Sequence, residues 1–152
     1  MIKKAIYMLH FLFVHFVLEV PLGKREFITI FGNNYDTKDG TTVLDYVHVV
    51  DLAEVHLLAI DYLSKDNDRT IFNMGSSVGF STLEIIQTIE EHTQKNIPIK
   101  YGQPRAGDPH SLIASSKKIE ALLGWKPKYT DLDSMIDSAW KWHENHLDGY
   151  TS

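Results

Sequence analysis

Thr70-Ile71-Phe72-Asn73-Met74-Gly75-Ser76-Ser77-Val78-Gly79-Phe80-Ser81-Thr82-Leu83-Glu84 is the stretch from which the fold class is read. Thr70 to Asn73 holds β-branched and aromatic residues and predicts a short strand. Gly75 and Gly79, with serines between them, predict a turn. Ser81 with Glu84 three residues later predicts a capping box, in which the serine accepts from the backbone and the glutamate reaches back to the cap amide. Leu83, Ile86 and Ile89 follow at helical spacing and mark a buried stripe. Strand, glycine turn and helix in that order favour an α/β or α+β layer over an all-β or all-α fold.

The pattern continues on both sides. Downstream, Ile97 to Tyr101 predicts a strand leading into the polar loop Gly102-Gln103-Pro104-Arg105-Ala106-Gly107-Asp108-Pro109. Ser115 is expected to start a shorter helix carrying Ile119, Leu122 and Leu123, with Gly124 in the position of a left-handed cap. Thr130 opens a last helix in which Leu132, Ile136, Ala139 and Trp140 repeat at helical spacing. Upstream, Phe27 to Phe31 predicts a strand stopped by Gly32-Asn33-Asn34, Asn33 to Thr42 a loop, and Val43 to Val50 a second strand. Asp51-Leu52-Ala53-Glu54 repeats the capping-box lettering, and Leu52, Val55, Leu58, Ala59 and Tyr62 keep helical spacing after it.

The chain has 152 residues, 43% hydrophobic and 23% charged, and no cysteine. That length supports one globular domain with a real core, and the absence of cysteine excludes disulfides, thiolate metal sites and a cysteine nucleophile. Fifteen Lys+Arg against 20 Asp+Glu give a formal charge of -5, which argues against a chain-wide footprint for nucleic acid. Met1 to Lys4 followed by the apolar run Ala5 to Val20 resembles a secretory signal, but His10, His15 and Glu19 interrupt it. Val20-Pro21-Leu22-Gly23 offers no small-x-small cleavage pattern. The run is also shorter than the ~20 residues that cross a bilayer. A helix over residues 1–22, ended by Pro21 and Gly23, is the expectation, with no membrane anchoring and a cytoplasmic location.

The residues by themselves make no complete active site. His143 and His146 are three apart, lacking the i, i+4 pair of HExxH, and suit the negative end of a helix dipole. The loop Asn34 to Gly40 places Tyr35 and Lys38 where calcium ligands belong. Gly75 and Gly79 sit in the right place for a dinucleotide turn, yet GxGxxG is absent. None of Tyr7, Tyr35, Tyr46, Tyr62, Tyr101 and Tyr129 is followed four residues later by lysine, the pairing of short-chain reductase chemistry. Arg105 and Asp108 are the best binding candidates, because a guanidinium fork donates to phosphate bidentately and a carboxylate accepts from sugar hydroxyls. An exposed turn with a solvated ion pair is the alternative reading of the same two residues.

The run Ile28-Thr29-Ile30-Phe31-Gly32-Asn33-Asn34-Tyr35-Asp36-Thr37-Lys38-Asp39-Gly40-Thr41, followed by Asp45-Tyr46-Val47-His48-Val49-Val50-Asp51-Leu52-Ala53, resembles the carboxy-terminal half of the UDP-glucose 4-epimerase family. Ile71-Phe72-Asn73-Met74-Gly75, Gly79-Phe80-Ser81, Arg105-Ala106-Gly107-Asp108-Pro109, Gly124-Trp125-Lys126-Pro127 and Trp140-Lys141-Trp142-His143 keep the family's order. The resemblance covers about Val17 to Tyr150. It implies a mixed α/β substrate-binding part of an NAD-dependent, extended short-chain dehydrogenase-type epimerase, lacking most of the Rossmann half. Residues 1–22 would then be an apolar helix before a UDP-sugar-binding domain over 23–152.

In that family NAD takes a hydride from carbon 4 of the hexose and returns it to the other face. The glycine-rich NAD turn and the tyrosine-lysine pair belong to the amino-terminal half, and neither is found here, so no catalytic residue, metal or bound cofactor is expected for this chain alone. By matching motifs, Thr29, Ile30 and Phe31 would line the uracil side of UDP, while Tyr46, Arg105 and Asp108 would hold ribose and diphosphate. One departure stands out: Val43-Leu44-Asp45-Tyr46 carries leucine where the family has arginine. A charge-assisted hydrogen bond contributes ~1.5 to 3 kcal/mol, so its loss implies UDP-sugar binding weaker by about one to two orders of magnitude. The resemblance thus implies a truncated homologue, inactive alone. The alternatives are a weak UDP-sugar-binding module and a vestigial fragment. Unpaired strand edges predict a homo-oligomer.

Overall fold

The computed structural model describes residues 13–65 and 69–149. Helix α1 (Phe13–Leu18) leads into strand β1 (Ile28–Phe31), strand β2 (Val43–Asp45) and helix α2 (Val49–Ser64). Strand β3 (Gly79–Ser81), helix α3 (Thr82–Thr93), strand β4 (Ile99–Gly102) and strand β5 (Ser111–Leu112) follow, then helix α4 (Lys117–Leu123) and helix α5 (Leu132–Asn145). The class is mixed α/β, as the alternation predicts.

Two small sheets organise the elements. In one, β1 runs parallel to β4 from Ile28 opposite Ile99 to Phe31 opposite Gly102. In the other, β2 is central: antiparallel to β3, with Leu44 opposite Phe80, and parallel to β5, with Leu44 opposite Leu112. Strand β1 alternates as a half-buried strand should. Ile28 and Ile30, each 4% exposed, enter a core shared with Val17 and Leu18 of α1, Ile85, Ile86 and Ile89 of α3, Ile97, and Leu132 and Ile136 of α5. The same alternation leaves Phe31 at 38% exposure, where it faces the site described below.

Local rules account for three helix starts or ends. Ser81 and Glu84 form both halves of the predicted capping box. Gly124 ends α4 in the left-handed region at φ 68°, its amide donating to Glu120 O at 2.9 Å. Asp131, one residue after the expected Thr130, caps α5 by accepting from Ser134 N at 2.8 Å. Likewise Ser116 rather than Ser115 precedes α4. The stripes of α3 and α5 hold, with Ile85 and Met135 as further buried members, whereas in α4 Ile119 is buried but Leu122 is 51% exposed.

Other expectations fail. The strand over Val43 to Val50 ends at Asp45, because the His48 side chain turns the chain into α2: its Nδ1 accepts from Val50 N at 3.1 Å. Nε2, which then carries the proton, meets Ser138 Oγ at 2.8 Å, and the ring stacks on Tyr129 at 4.0 Å between centroids. Asp51 is therefore inside the helix and caps nothing. The segment 70–73 forms no strand ladder among the described residues, and Ile71 is 83% exposed. Of the expected amino-terminal helix, residues 1–12 lie outside the described ones. Helix α2 also turns Val49, Leu57, Ile60 and Leu63 outward.

Candidate functional site

The carboxyl end of β1 and the loop after β4 meet because their ladder continues past the strands: Gly32 N donates to Gly102 O at 3.0 Å. Gly32 has φ +86°, and a Cβ there would lie 2.6 Å from the Tyr35 ring, so glycine is required both for the turn and for the packing. Beside this junction opens a cleft of about 540 Å³. Its walls are Phe13 and Phe16 of α1, Arg25 to Phe31 leading into and along β1, Leu44 within the central strand and Tyr46 just after it, Thr82, and the loop residues Arg105 and Asp108.

All six residues singled out from the sequence, Thr29, Ile30, Phe31, Tyr46, Arg105 and Asp108, line this one cleft. The Arg105 guanidinium lies 3.8 Å from the Phe31 ring centroid, a cation–π stack that holds the fork beside an exposed aromatic face. Asp108 closes the turn by donating its amide to Arg105 O at 3.2 Å. Its Oδ1 is buried without a hydrogen-bond partner among the described residues. A buried acceptor left unsatisfied is costly, so this oxygen is suited to an incoming donor. Burial raises the Tyr46 hydroxyl well above its ordinary range, so it stays a neutral O–H, able to donate. Leu44, 8% exposed, contributes apolar wall. The other cation on the cleft, Arg25, is held by Glu19 at 2.7 Å and lies 5.0 Å from the Phe16 centroid.

Tyr35 was not legible as a site residue. Its hydroxyl donates to Phe31 O at 3.2 Å, and its ring meets His110 edge-on at 5.5 Å, so it braces β1 against the Arg105–Asp108 loop. Burial and the nearby Asp108 carboxylate raise its pKa, against an opposing pull from Arg105. Phe13 and Phe16 were missed too, since only packing brings α1 to the cleft.

The weak dinucleotide candidate resolves differently. A Cβ on Gly75 would sit 2.2 Å from Asp45 Oδ2. The Asp45 carboxylate accepts from Ser76 N at 2.8 Å, Ser76 Oγ at 2.6 Å and Ala114 N at 3.1 Å. A side-chain carboxylate fills the space a phosphate would need, and the next helix start is closed by Ser81 and Glu84. These glycines do not fit the pyrophosphate of NAD. His143 meets His15, and no cluster of three or more metal-ligating side chains occurs among the described residues. None of the described helices is long and apolar enough to cross a membrane.

The family whose description is GDP-mannose 4,6 dehydratase matches residues 8–138. The chain belongs to this family. Within the GDP-mannose 4,6 dehydratase family it is most informatively compared with epimerases. It is 52% identical over 137 residues to the UDP-glucose 4-epimerase of Lacticaseibacillus casei, covering 90% of this chain and 41% of that protein. A crystal structure of a UDP-glucose 4-epimerase superposes with a TM-score of 0.87 at 41% identity, over 91% of this chain and 42% of the other. The Bifidobacterium longum UDP-glucose 4-epimerase, solved with NAD+ and UDP, gives 0.79 at 35% identity over 88% and 39%. The motif resemblance to UDP-glucose 4-epimerases therefore holds, and the chain spans about two fifths of the length of the relatives it matches.

Proposed function

We propose that the cleft holds the UDP end of a UDP-hexose and that this chain provides the substrate grip of an NAD-dependent sugar epimerase. The observation that carries the reading is the Arg105–Phe31 stack beside the unpartnered Asp108 oxygen, in a cleft large enough for a nucleotide. Phe31, with Thr29 on the same side of β1, offers a face for uracil, and Ile30, 4% exposed, backs that strand from the core. Arg105 supplies a fixed fork to the diphosphate. Asp108 Oδ1 accepts from a ribose hydroxyl, and the neutral Tyr46 hydroxyl donates. Leu44 adds no charge where the resemblance leads one to look for arginine, so Arg105 carries the diphosphate contact and binding is weak. No proton or hydride step is assigned to these residues; in the family that chemistry uses NAD, which the Gly75–Gly79 turn does not fit.

Melting with and without UDP tests this. At tenfold excess over Kd, binding adds about 1.4 kcal/mol, a rise of ~3–6 °C for a chain of this size, and Arg105→Ala removes the rise. Absence of any shift with UDP or UDP-glucose at millimolar concentration defeats the reading. The chain by itself, given NAD, is expected not to convert UDP-glucose to UDP-galactose; turnover would overturn the restriction to substrate grip.

A further inference from the structure

Away from the Arg105 corner, α1 touches α5 through two imidazoles. His15 Nδ1 and His143 Nε2 are 3.3 Å apart, with ring centroids 4.9 Å apart. His15 Nε2 lies 3.5 Å from Glu19 Oε1, and Glu19 is also held by Arg25. Lys24 donates to Leu147 O, which brings its ammonium to the same end of α5. The other helix against α1 is α3, which shares Ile85, Ile86 and Ile89 with Val17 and Leu18 in the core. Its titratable groups are engaged elsewhere or exposed: Glu84 pairs with Lys38, Glu90 accepts from Ile97 N, His92 meets Asp133, and Glu91 is exposed.

We propose that His15 and His143 form a proton-operated latch that holds α1, and with it the Phe13–Phe16 wall of the cleft, while the pair carries no more than one proton, and lets α1 loosen when both rings are charged. The donor and acceptor count enforces this. In the neutral pair, His15 turns Nε2–H to Glu19 and accepts at Nδ1 from His143 Nε2–H. With one added proton on the pair, one ring still donates and the other still accepts between these two nitrogens, so the contact survives. A second proton leaves N–H facing N–H and two like charges, so the contact breaks. Burial of His143 lowers its pKa from 6.5, with His15 and Lys24 acting the same way and Glu19 opposing. The latch is therefore complete above pH 6.5 and is lost as pH falls below that through the depressed value. It does not depend on what occupies the cleft.

The test follows histidine C–H signals and amide exchange of the full chain by NMR between pH 7.5 and 5. The pair should titrate in two coupled steps, as interacting sites do. Protection of residues 14–18, corrected for intrinsic rates, should fall relative to α3 as the pH is lowered across this range. His143→Phe should keep protection constant across the range, and His143→Arg should show the loosened state even at pH 7.5. Independent titration of the two rings, or unchanged relative protection of 14–18 in the native chain, overturns the latch even if a variant fails to fold.

Discussion

Helices α2 and α3 each carry an oxygen-bearing residue followed three positions later by glutamate, Asp51–Glu54 and Ser81–Glu84, yet only the second pair caps its helix. The difference lies outside the helices. Ser81 Oγ is free to accept from Glu84 N at 3.0 Å, and Glu84 Oε2 accepts in return from Ser81 N at 2.8 Å. Asp51 is fully buried and already engaged by the loop before α5: it accepts from Lys128 N at 3.2 Å and Tyr129 N at 3.0 Å. Glu54 is taken by the Lys128 ammonium at 2.7 Å. With both side chains committed to tertiary partners, the start of α2 moves back to His48. A capping motif thus works only where nothing more distant claims the acceptor of the cap residue; Glu84 keeps one oxygen for Ser81 N although Lys38 holds the other at 2.9 Å.

The largest effect expected from this contrast is at Asp51. Asp51→Ala leaves two backbone donors without their carboxylate, and hydrogen bonds to charged groups contribute ~1.5 to 3 kcal/mol each. A loss of about 3 kcal/mol, seen as a fall in melting temperature of ~6–12 °C, is expected. If Asp51 were instead a local cap, the loss would be near the ~1 kcal/mol of cap substitutions. A fall of only 2–4 °C, the value ~1 kcal/mol gives at this size, would erase the distinction between the two helix starts.

Ser81→Ala should cost less. Removing the cap costs ~1 kcal/mol, and the Ser81 hydroxyl also donates to Asp39, which in turn accepts from Thr41 N at 2.9 Å and Thr41 Oγ1 at 2.7 Å. A urea midpoint moved by that amount, with the slope unchanged, is the expected result. Ser81→Asn, which keeps a capping oxygen, should recover most of it. An alanine variant as stable as the native chain would show that the box is geometry without energy.

The same contrast explains what could be read from the amino-acid order. The turns of α3, α4 and α5 are set by neighbours three or four positions apart, so Ser81, Gly124 and the Leu132–Ile136 spacing were legible. The start of α2 depends on Lys128 and Tyr129, nearly eighty positions away, and no local pattern reports that. Thr70 to Asn73 has strand composition but no paired neighbour here, and composition does not supply one. At the cleft, Arg105 and Asp108 drew attention through charge and a stiff loop. Thr29, Ile30, Phe31 and Tyr46 came only with the family motif, because an apolar strand residue looks the same whether it faces a core or a ligand. Tyr35 and Phe16 carried no signal, since their roles arise from the approach of His110 and of α1.

The smallest expected effect breaks the α3 start with protons instead of a substitution. Glu84 is held below its ordinary value of 4.5, chiefly by the Ser81 amide and then by Lys38. For Asp39 burial acts to raise the carboxyl, but donation from Ser81 and Thr41 outweighs it and the net shift is below 3.8. A depressed carboxyl contributes stability that is complete above its unfolded value and is lost as pH falls through the folded one. The urea midpoint should therefore hold from pH 7 to about 5 as far as these two groups are concerned, and drop below 4.5. In Ser81→Ala the drop should be shallower, because Asp39 has lost one of the donors that favoured its charged form. Both carboxylates are partly exposed, so water screens much of the effect, and the difference between the two acid limbs is expected to be small but resolved. Parallel limbs would mean that Asp39 owes its ionisation to Thr41 and Lys38 without Ser81, and that the cap at Ser81 is electrostatically independent of the loop beneath it.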